Sequence, residues 1–203
     1  MDIKIINNNS MGTNTYIVSI EKEAIVIDPV GSMNTVLDYI EKNELQVKYI
    51  LLTHGHGDHI GLVPELKEIT GAPIYVHSED EEMINDSLIN LSVHFEKTVS
   101  FKSDYYYDHK DDLKLGEETI TIIHTPGHTK GSVCIQIGDS LFTGDTLFKG
   151  SIGRTDFYGG DYNTIIQSLN NIKTLDSNLK VYPGHGPSSQ LSTECTTNPY
   201  FQL

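Results

Sequence analysis

Three histidines and an aspartate, His54, His56, Asp58 and His59, fall within six residues of a 203-residue chain. They follow the apolar run Tyr49-Ile50-Leu51-Leu52, which reads as a buried strand. Gly55 and Gly57 let the backbone fold tightly behind that strand and bring the side chains to one point. Imidazole nitrogen and carboxylate oxygen are zinc-type donors. Four such groups exceed the three protein ligands of a usual catalytic zinc, so the spacing points to two metal ions rather than one.

Further donors appear downstream in matching contexts. His128 sits in His124-Thr125-Pro126-Gly127-His128-Thr129, after the strand-like Thr119-Ile120-Thr121-Ile122-Ile123. Asp145 sits in Leu141-Phe142-Thr143-Gly144-Asp145-Thr146, and His185 in Val181-Tyr182-Pro183-Gly184-His185-Gly186. Each time an apolar segment ends, a small or turn residue follows, and a metal-ligating residue appears. Rigid strands present side chains at one rim of a sheet in this way. The other histidines, His77, His94, His109 and His124, lack such a context and are expected to be structural or exposed; only His124 is kept as a candidate for supporting a ligand.

The set His-x-His-x-Asp-His followed by His128, Asp145 and His185 resembles the metallo-β-lactamase superfamily over nearly the whole chain. The segment Thr146-Leu147-Phe148-Lys149-Gly150-Ser151-Ile152-Gly153-Arg154-Thr155-Asp156-Phe157 is similar to the short, single-domain glyoxalase II branch, the bacterial hydroxyacylglutathione hydrolase type. The tail Thr197-Asn198-Pro199-Tyr200-Phe201 is similar to the end of those short enzymes. The resemblance implies a four-layer αββα sandwich over residues 1–203. It implies one metal held by His54, His56 and His128, a second held by Asp58, His59 and His185, and Asp145 bridging both. Zinc suits these donors first; iron and manganese accept the same mixture of imidazole and carboxylate. Flavodiiron oxidases of the superfamily carry Glu at the place of His56, which counts against that branch.

The implied reaction is hydrolysis of the thioester of S-(2-hydroxyacyl)glutathione or a similar thiol conjugate. A water between the two cations ionises near neutral pH and attacks the carbonyl. Asp58 is the candidate for orienting that water or moving its proton. Arg154 has two readings: it contacts the substrate, or it braces the active-site loop with the following acid through a charge-assisted bond. Lys149 and Tyr158 are further candidates for substrate contact. Longer glyoxalase II enzymes grip glutathione with a basic C-terminal extension. Only 18 residues follow His185 here, none of them Lys or Arg, so strong dependence on glutathione is not expected. Two alternatives stay open: a persulfide dioxygenase with one iron held by a His pair and an Asp, and another hydrolase of the superfamily acting on a lactone, ester or β-lactam.

The net charge of −14 weighs against nucleic-acid binding, which relies on a positive surface. No apolar run approaches the roughly 20 residues that cross a bilayer, and Met1-Asp2-Ile3-Lys4-Ile5-Ile6 does not read as a signal peptide, so a cytoplasmic protein is expected. Cys134 and Cys195 make no disulfide framework.

The elements that must position the site follow from periodicity. Strands are expected at Asp2–Asn7, Thr15–Ile20, Ala24–Ile27, Lys48–Thr53, Pro73–Val76, Leu113–Ile123, Ser132–Phe142 and Lys180–Tyr182. Helices are expected from a Ser32 cap to about Leu45, over Ile60–Ile69 closed by Gly71, from a Ser78 cap through the acids that follow, and over Tyr162–Leu175. Tyr105 to Asp112 reads as loop, within a stretch, residues 78–115, that either overhangs the site or is a surface excursion.

Overall fold

The computed structural model describes residues 1–7, 9–95, 97–107 and 113–202; His109 and most of the loop expected around it lie outside them. One six-stranded sheet has the order β1 (Asp2–Ile6), β2 (Thr15–Ile20), β3 (Glu23–Ile27), β4 (Gln46–Leu51), β5 (Ile74–Val76), β6 (Tyr105–Tyr106). A second six-stranded sheet contains β7 (Lys114–Leu115), β8 (Glu118–His124), β9 (Val133–Ile137), β10 (Ser140–Gly144), β13 (Lys180–Pro183) and β14 (Ser189–Gln190), and a hairpin of β11 (Leu147–Phe148) and β12 (Ser151–Ile152) lies apart.

Period-2 alternation decides what each face buries. Along β2, Tyr16 and Val18 point between the sheets, where they join Ile25, Ile27 and Leu51 and meet Ile120, Val133, Ile135 and Phe142 of the second sheet. Ile17 points the other way, with Val26, Ile50 and Ile74, onto Val36 and Ile40 of α1 (Met33–Lys42) and Val63 and Leu66 of α3 (Val63–Thr70). The outer face of the second sheet packs Cys134, Leu141 and Val181 against Leu169 and Ile172 of α5 (Tyr162–Ile172), Leu191 of α6 (Leu191–Thr197) and Phe201. The layers are therefore αββα, as the resemblance implied.

Parallel pairing fixes where the site must be. Strand β4 runs parallel to β3 and β5, with α1 and α3 as crossovers, and β10 runs parallel to β13 across α5. Because β9 is antiparallel to both β8 and β10, β8 and β10 point the same way. The carboxyl ends of β3 and β4 therefore share a rim of the first sheet, those of β8, β10 and β13 share a rim of the second, and every ligating segment leaves from one of these ends, the position where open α/β sheets place ligands.

Several expected boundaries move. The helix read over Ile60–Ile69 is two pieces: α2 (Gly57–Ile60) begins inside the His-rich segment, and α3 starts at Val63, with Pro64 in its first turn. The left-handed Gly71 (φ 69°) closes α3 as expected. Ser32 occupies the cap position of α1, yet its side chain makes no capping bond. Ser78 is not a cap: a 3-10 turn over Ser78–Asp80 leads into α4 (Glu81–Asn85), and the capping side chain is His77, whose Nδ1 accepts from the Glu79 N–H at 3.3 Å. The single strand expected over Leu113–Ile123 is a hairpin, because Gly116 turns the chain at φ 57° between β7 and β8. The Ser132–Phe142 segment is likewise folded at Gly138, φ 54°, into β9 and β10.

Candidate metal centre

The His-rich segment leaves β4 and is pinned on both sides of Gly55: His54 and His56 are 1% and 4% exposed. Asp58 and His59 follow on α2. His128 arrives from the loop after β8, Asp145 from the end of β10, and His185 from the end of β13. Two groups of donor atoms result, His54 with His56 and His128, and Asp58 with His59 and His185; within each, the ligating atoms all lie within 4.8 Å of one another. These are the two sets the resemblance implied.

Asp145 sits between them. Its Oδ1 is 3.3 Å from His59 Nε2, while its Oδ2 is 3.6 Å from His128 Nε2 and 3.5 Å from His185 Nε2. One carboxylate therefore touches both groups. Asp58 Oδ2 closes the second group at 3.2 Å from His185 Nε2 and 3.8 Å from His59 Nε2. A side chain on Gly184 would collide with this arrangement, since a Cβ there would stand 2.2 Å from Asp145 Oδ1 and 2.7 Å from His59 Cε1. Glycine before His185 is thus a steric requirement of the centre.

Outer contacts orient the imidazoles. Asp28 Oδ2 accepts from His59 Nδ1 at 2.9 Å, leaving Nε2 turned inward. The same oxygen takes the Thr53 hydroxyl proton at 2.6 Å, so Thr53 Oγ1 can only accept from His54 Nδ1, 3.1 Å away, and His54 Nε2 is bare. His128 Nδ1 donates to the Arg154 carbonyl at 2.7 Å, which bares its Nε2. His56 Nδ1 faces that Nε2 at 2.9 Å. Asp28 also groups with His54 and His59 as a possible ligand set. Its oxygens are already taken by the Thr53 N–H, the Thr53 hydroxyl and His59, so we read it as the orienting carboxylate.

The donors fit divalent cations on their own chemistry. His54 Nε2 is a buried nitrogen, and Asp145 Oδ1 a buried oxygen, with no hydrogen-bond partner among the described residues. An unpartnered buried polar atom is costly unless something binds it. Burial, reinforced by neighbouring imidazoles, holds His54 far below the usual histidine range and His56 down to about 3, so both present lone pairs at neutral pH. Burial alone would raise Asp58 and Asp145, but His59 and His185 hold both carboxyls below their ordinary value. Conversely, burial disfavours the charged His59, and Asp145 and Asp58 override it, lifting that imidazole well above the usual range. Mutually attracting imidazoles and carboxylates, with bare nitrogens pointed inward, make a site for two divalent ions.

The residues expected to touch substrate lie on loops beside the centre. The Arg154 guanidinium makes a two-pronged pair with Asp156, both bonds 2.7 Å, and lies 3.8 Å over the Phe157 ring. This is the bracing arrangement, and it puts the loop over the centre, with Phe157 5.9 Å from His56. The Tyr158 hydroxyl donates to Glu82 Oε2 at 2.6 Å, tying that loop to α4. Lys149 is exposed at the tip of the β11–β12 hairpin, beside Phe148, whose ring meets His185 edge-on at 6.0 Å. The stretch after β5 does reach the site: the Gly57 N–H donates to the Asn90 carbonyl at 2.7 Å, and Phe95 and Lys97 join Met11, Val30 and Leu62 around a cleft of about 360 Å³ bordered by Asp58. Among the described residues His124 stacks on His77 at 3.9 Å and bonds the Lys130 carbonyl rather than a metal-ligating side chain. Cys134 is buried, which pushes its thiol up to about 12 and leaves it inert. Among the described residues, no helix is long and apolar enough to cross a membrane.

Sequence reasoning missed Asp28. The signal was present, since Asp28 follows the apolar β3 as the ligands follow their strands, but Asp28-Pro29 reads as a plain turn. The backbone at Asp28 is left-handed, φ 50°. Thr15 Oγ1 holds that conformation by donating to the Asp28 carbonyl at 2.7 Å. Such a strained non-glycine residue is common at functional sites.

Known proteins carry the same architecture. A Haemophilus influenzae protein named hydroxyacylglutathione hydrolase GloC is 34% identical over 98% of this chain and 98% of its own. The crystal structure of the BLEG-1 B3 metallo-beta-lactamase superposes with a TM-score of 0.93 at 32% identity, covering 100% of both chains. The structure of TTHA1623 in a di-iron-bound form superposes at 0.85 with 29% identity, covering 97% of this chain and 99% of that one. The sequence model of the metallo-beta-lactamase superfamily matches residues 9–185, which span every metal donor described above, and the chain belongs to that superfamily.

Proposed function

We propose that this protein is a dinuclear metal-dependent hydrolase whose substrate is the thioester of an S-(2-hydroxyacyl)glutathione or a similar small thiol conjugate. The observation that carries the hydrolase reading is Asp145, whose two oxygens face both donor groups at 3.3 to 3.6 Å. A single-iron oxygenase built from one His pair and an Asp would leave Asp58, His59 and His185 without a purpose. The thioester reading is supported by the hydroxyacylglutathione hydrolase named above and by the Thr146-to-Phe157 segment.

When bound, two divalent ions supply a Lewis acid for the carbonyl oxygen and lower the pKa of coordinated water from 15.7 to about 7. The chain does the rest. Asp58 borders the cleft and lies 15% exposed, with one oxygen against His185 Nε2, so it orients a water there and takes its proton at a carboxylate oxygen. Met11, Val30, Leu62 and Phe95 give the acyl chain an apolar wall. Lys149, which makes no ion pair among the described residues, is the free cation for an anionic thiol carrier, with Arg154 and Tyr158 on the neighbouring loop. The leaving thiolate needs little help, since an ordinary thiol has a pKa of about 8.5. Zinc is the proposed occupant, with iron as the second choice on the strength of the di-iron relative.

The test is thiol release from S-D-lactoylglutathione beside hydrolysis of a chromogenic cephalosporin. Fast chelator-sensitive thiol release with slow cephalosporin turnover supports the proposal; the reverse ranking assigns the site to β-lactams.

A further inference from the structure

Asp80 is a carboxylate that the reaction above does not use, and it is 1% exposed. It lies far in sequence from what it touches. Its Oδ2 accepts from the Gly55 N–H at 2.9 Å and from the Thr129 hydroxyl at 2.8 Å. Its Oδ1 accepts from the Gly131 N–H at 2.7 Å. Gly55 is the residue between His54 and His56, and Thr129 follows His128. One side chain therefore holds both segments that deliver the all-histidine donor group. The approach is so close that a Cβ on Gly131 would stand 2.7 Å from the Asp80 carboxyl carbon. Among the described residues no comparable bond runs from Asp80 to Asp58, His59 or His185, and His59 is oriented by Asp28 instead.

We infer that Asp80 is a positioning residue for one of the two metal ions: by clamping Gly55 and Thr129 it sets the separation of His54 and His56 from His128, and with it the affinity of that ion alone. The inference rests on the two-ion reading above. Oxygens that accept from two backbone N–H groups and a hydroxyl fix a backbone distance more rigidly than packing can, because charge-assisted bonds are short and directional. Groups that orient metal ligands typically change metal affinity 10- to 100-fold when removed. Asp80 acts through backbone rather than through a ligand's own ring, so a change of about 10-fold is expected.

The experiment measures zinc retention in the full chain against a graded chelator series, for wild type, Asp80→Ala and Asp80→Asn. Cobalt-substituted samples identify the ion that is lost, from the exchangeable ring N–H signals of His54 and His128 against that of His59. Wild type should retain two ions. Asp80→Ala should release one of them at about 10-fold lower chelator concentration, with loss of the His54 and His128 signals, while the other ion and the His59 signal stay within about 3-fold. Asp80→Asn keeps the volume and one accepting oxygen, so it should show the same selectivity with a smaller shift; it decides the matter if the alanine variant does not fold. Equal weakening of both ions, or a lower melting temperature with both affinities unchanged, would overturn the inference and leave Asp80 as ordinary buried structure. A wild type holding fewer than two ions would overturn the two-ion reading itself, a separate result.

Discussion

Asp28 Oδ2 lies 2.9 Å from His59 Nδ1, although the two residues are 31 positions apart. That contact fixes the His59 tautomer and turns Nε2 toward Asp145 and Asp58. It also shares an oxygen with the Thr53 hydroxyl, which orients His54. Asp28→Ala leaves both imidazoles free to rotate. The expected loss of metal affinity is 10- to 100-fold, with turnover falling in parallel. Metal analysis after dialysis reads this directly, and full retention of both ions would show that packing alone orients His59.

Asp145 is the shared donor, and Asp58 is the group proposed to handle the proton. Asp145→Ala should cost metal and activity together, and Asp58→Ala should lower kcat by at least 100-fold, while circular dichroism shows the fold intact. Near-normal turnover in either variant contradicts the assigned roles.

Arg154 offers a sharper distinction. Its guanidinium is engaged by Asp156 and Phe157, while its carbonyl, not its side chain, holds His128. If the side chain only braces the loop, Arg154→Ala and Asp156→Ala break the same exposed pair and raise KM by similar small factors. A KM increase of 10-fold or more in Arg154→Ala with Asp156→Ala near wild type would instead make Arg154 a substrate contact.

The donors stand out in the sequence because each is announced locally, by an apolar strand and a turn residue next to it. Individual elements were legible for the same reason: the strand at Thr15–Ile20 and the helical faces of α1 and α5 are short-range patterns, whereas the four layers followed from the family resemblance. Asp28 and Asp80 were not legible, because their meaning lies in partners 25 to 51 residues away. The split of the helix after the His-rich segment was missed because Ile60, Leu62, Val63 and Leu66 keep a helical apolar period through the break at Gly61. Gly116 and Gly138 make hairpins through left-handed backbones, which apolar periodicity does not reveal.

Acid should act on the metal-free protein through the same histidines. His54 and His56 have folded values pushed below the unfolded value of about 6.5, so the unfolded chain takes up protons first and stability falls as pH drops below about 6.5. His59 is raised, so its contribution is complete below about 6.5 and is lost as pH climbs through its folded value. Chelator-treated protein should therefore be most stable to urea near pH 6.5, with weaker resistance on either side. A midpoint that rises steadily from pH 5 to 8 would contradict the raised state of His59.

The most direct measurement is turnover of S-D-lactoylglutathione as zinc is returned stepwise to chelator-treated protein, with bound metal counted in each sample. The account predicts that activity climbs until two ions are bound per chain and then stops. Full activity at one ion per chain, or none at two, would contradict a dinuclear thioester hydrolase.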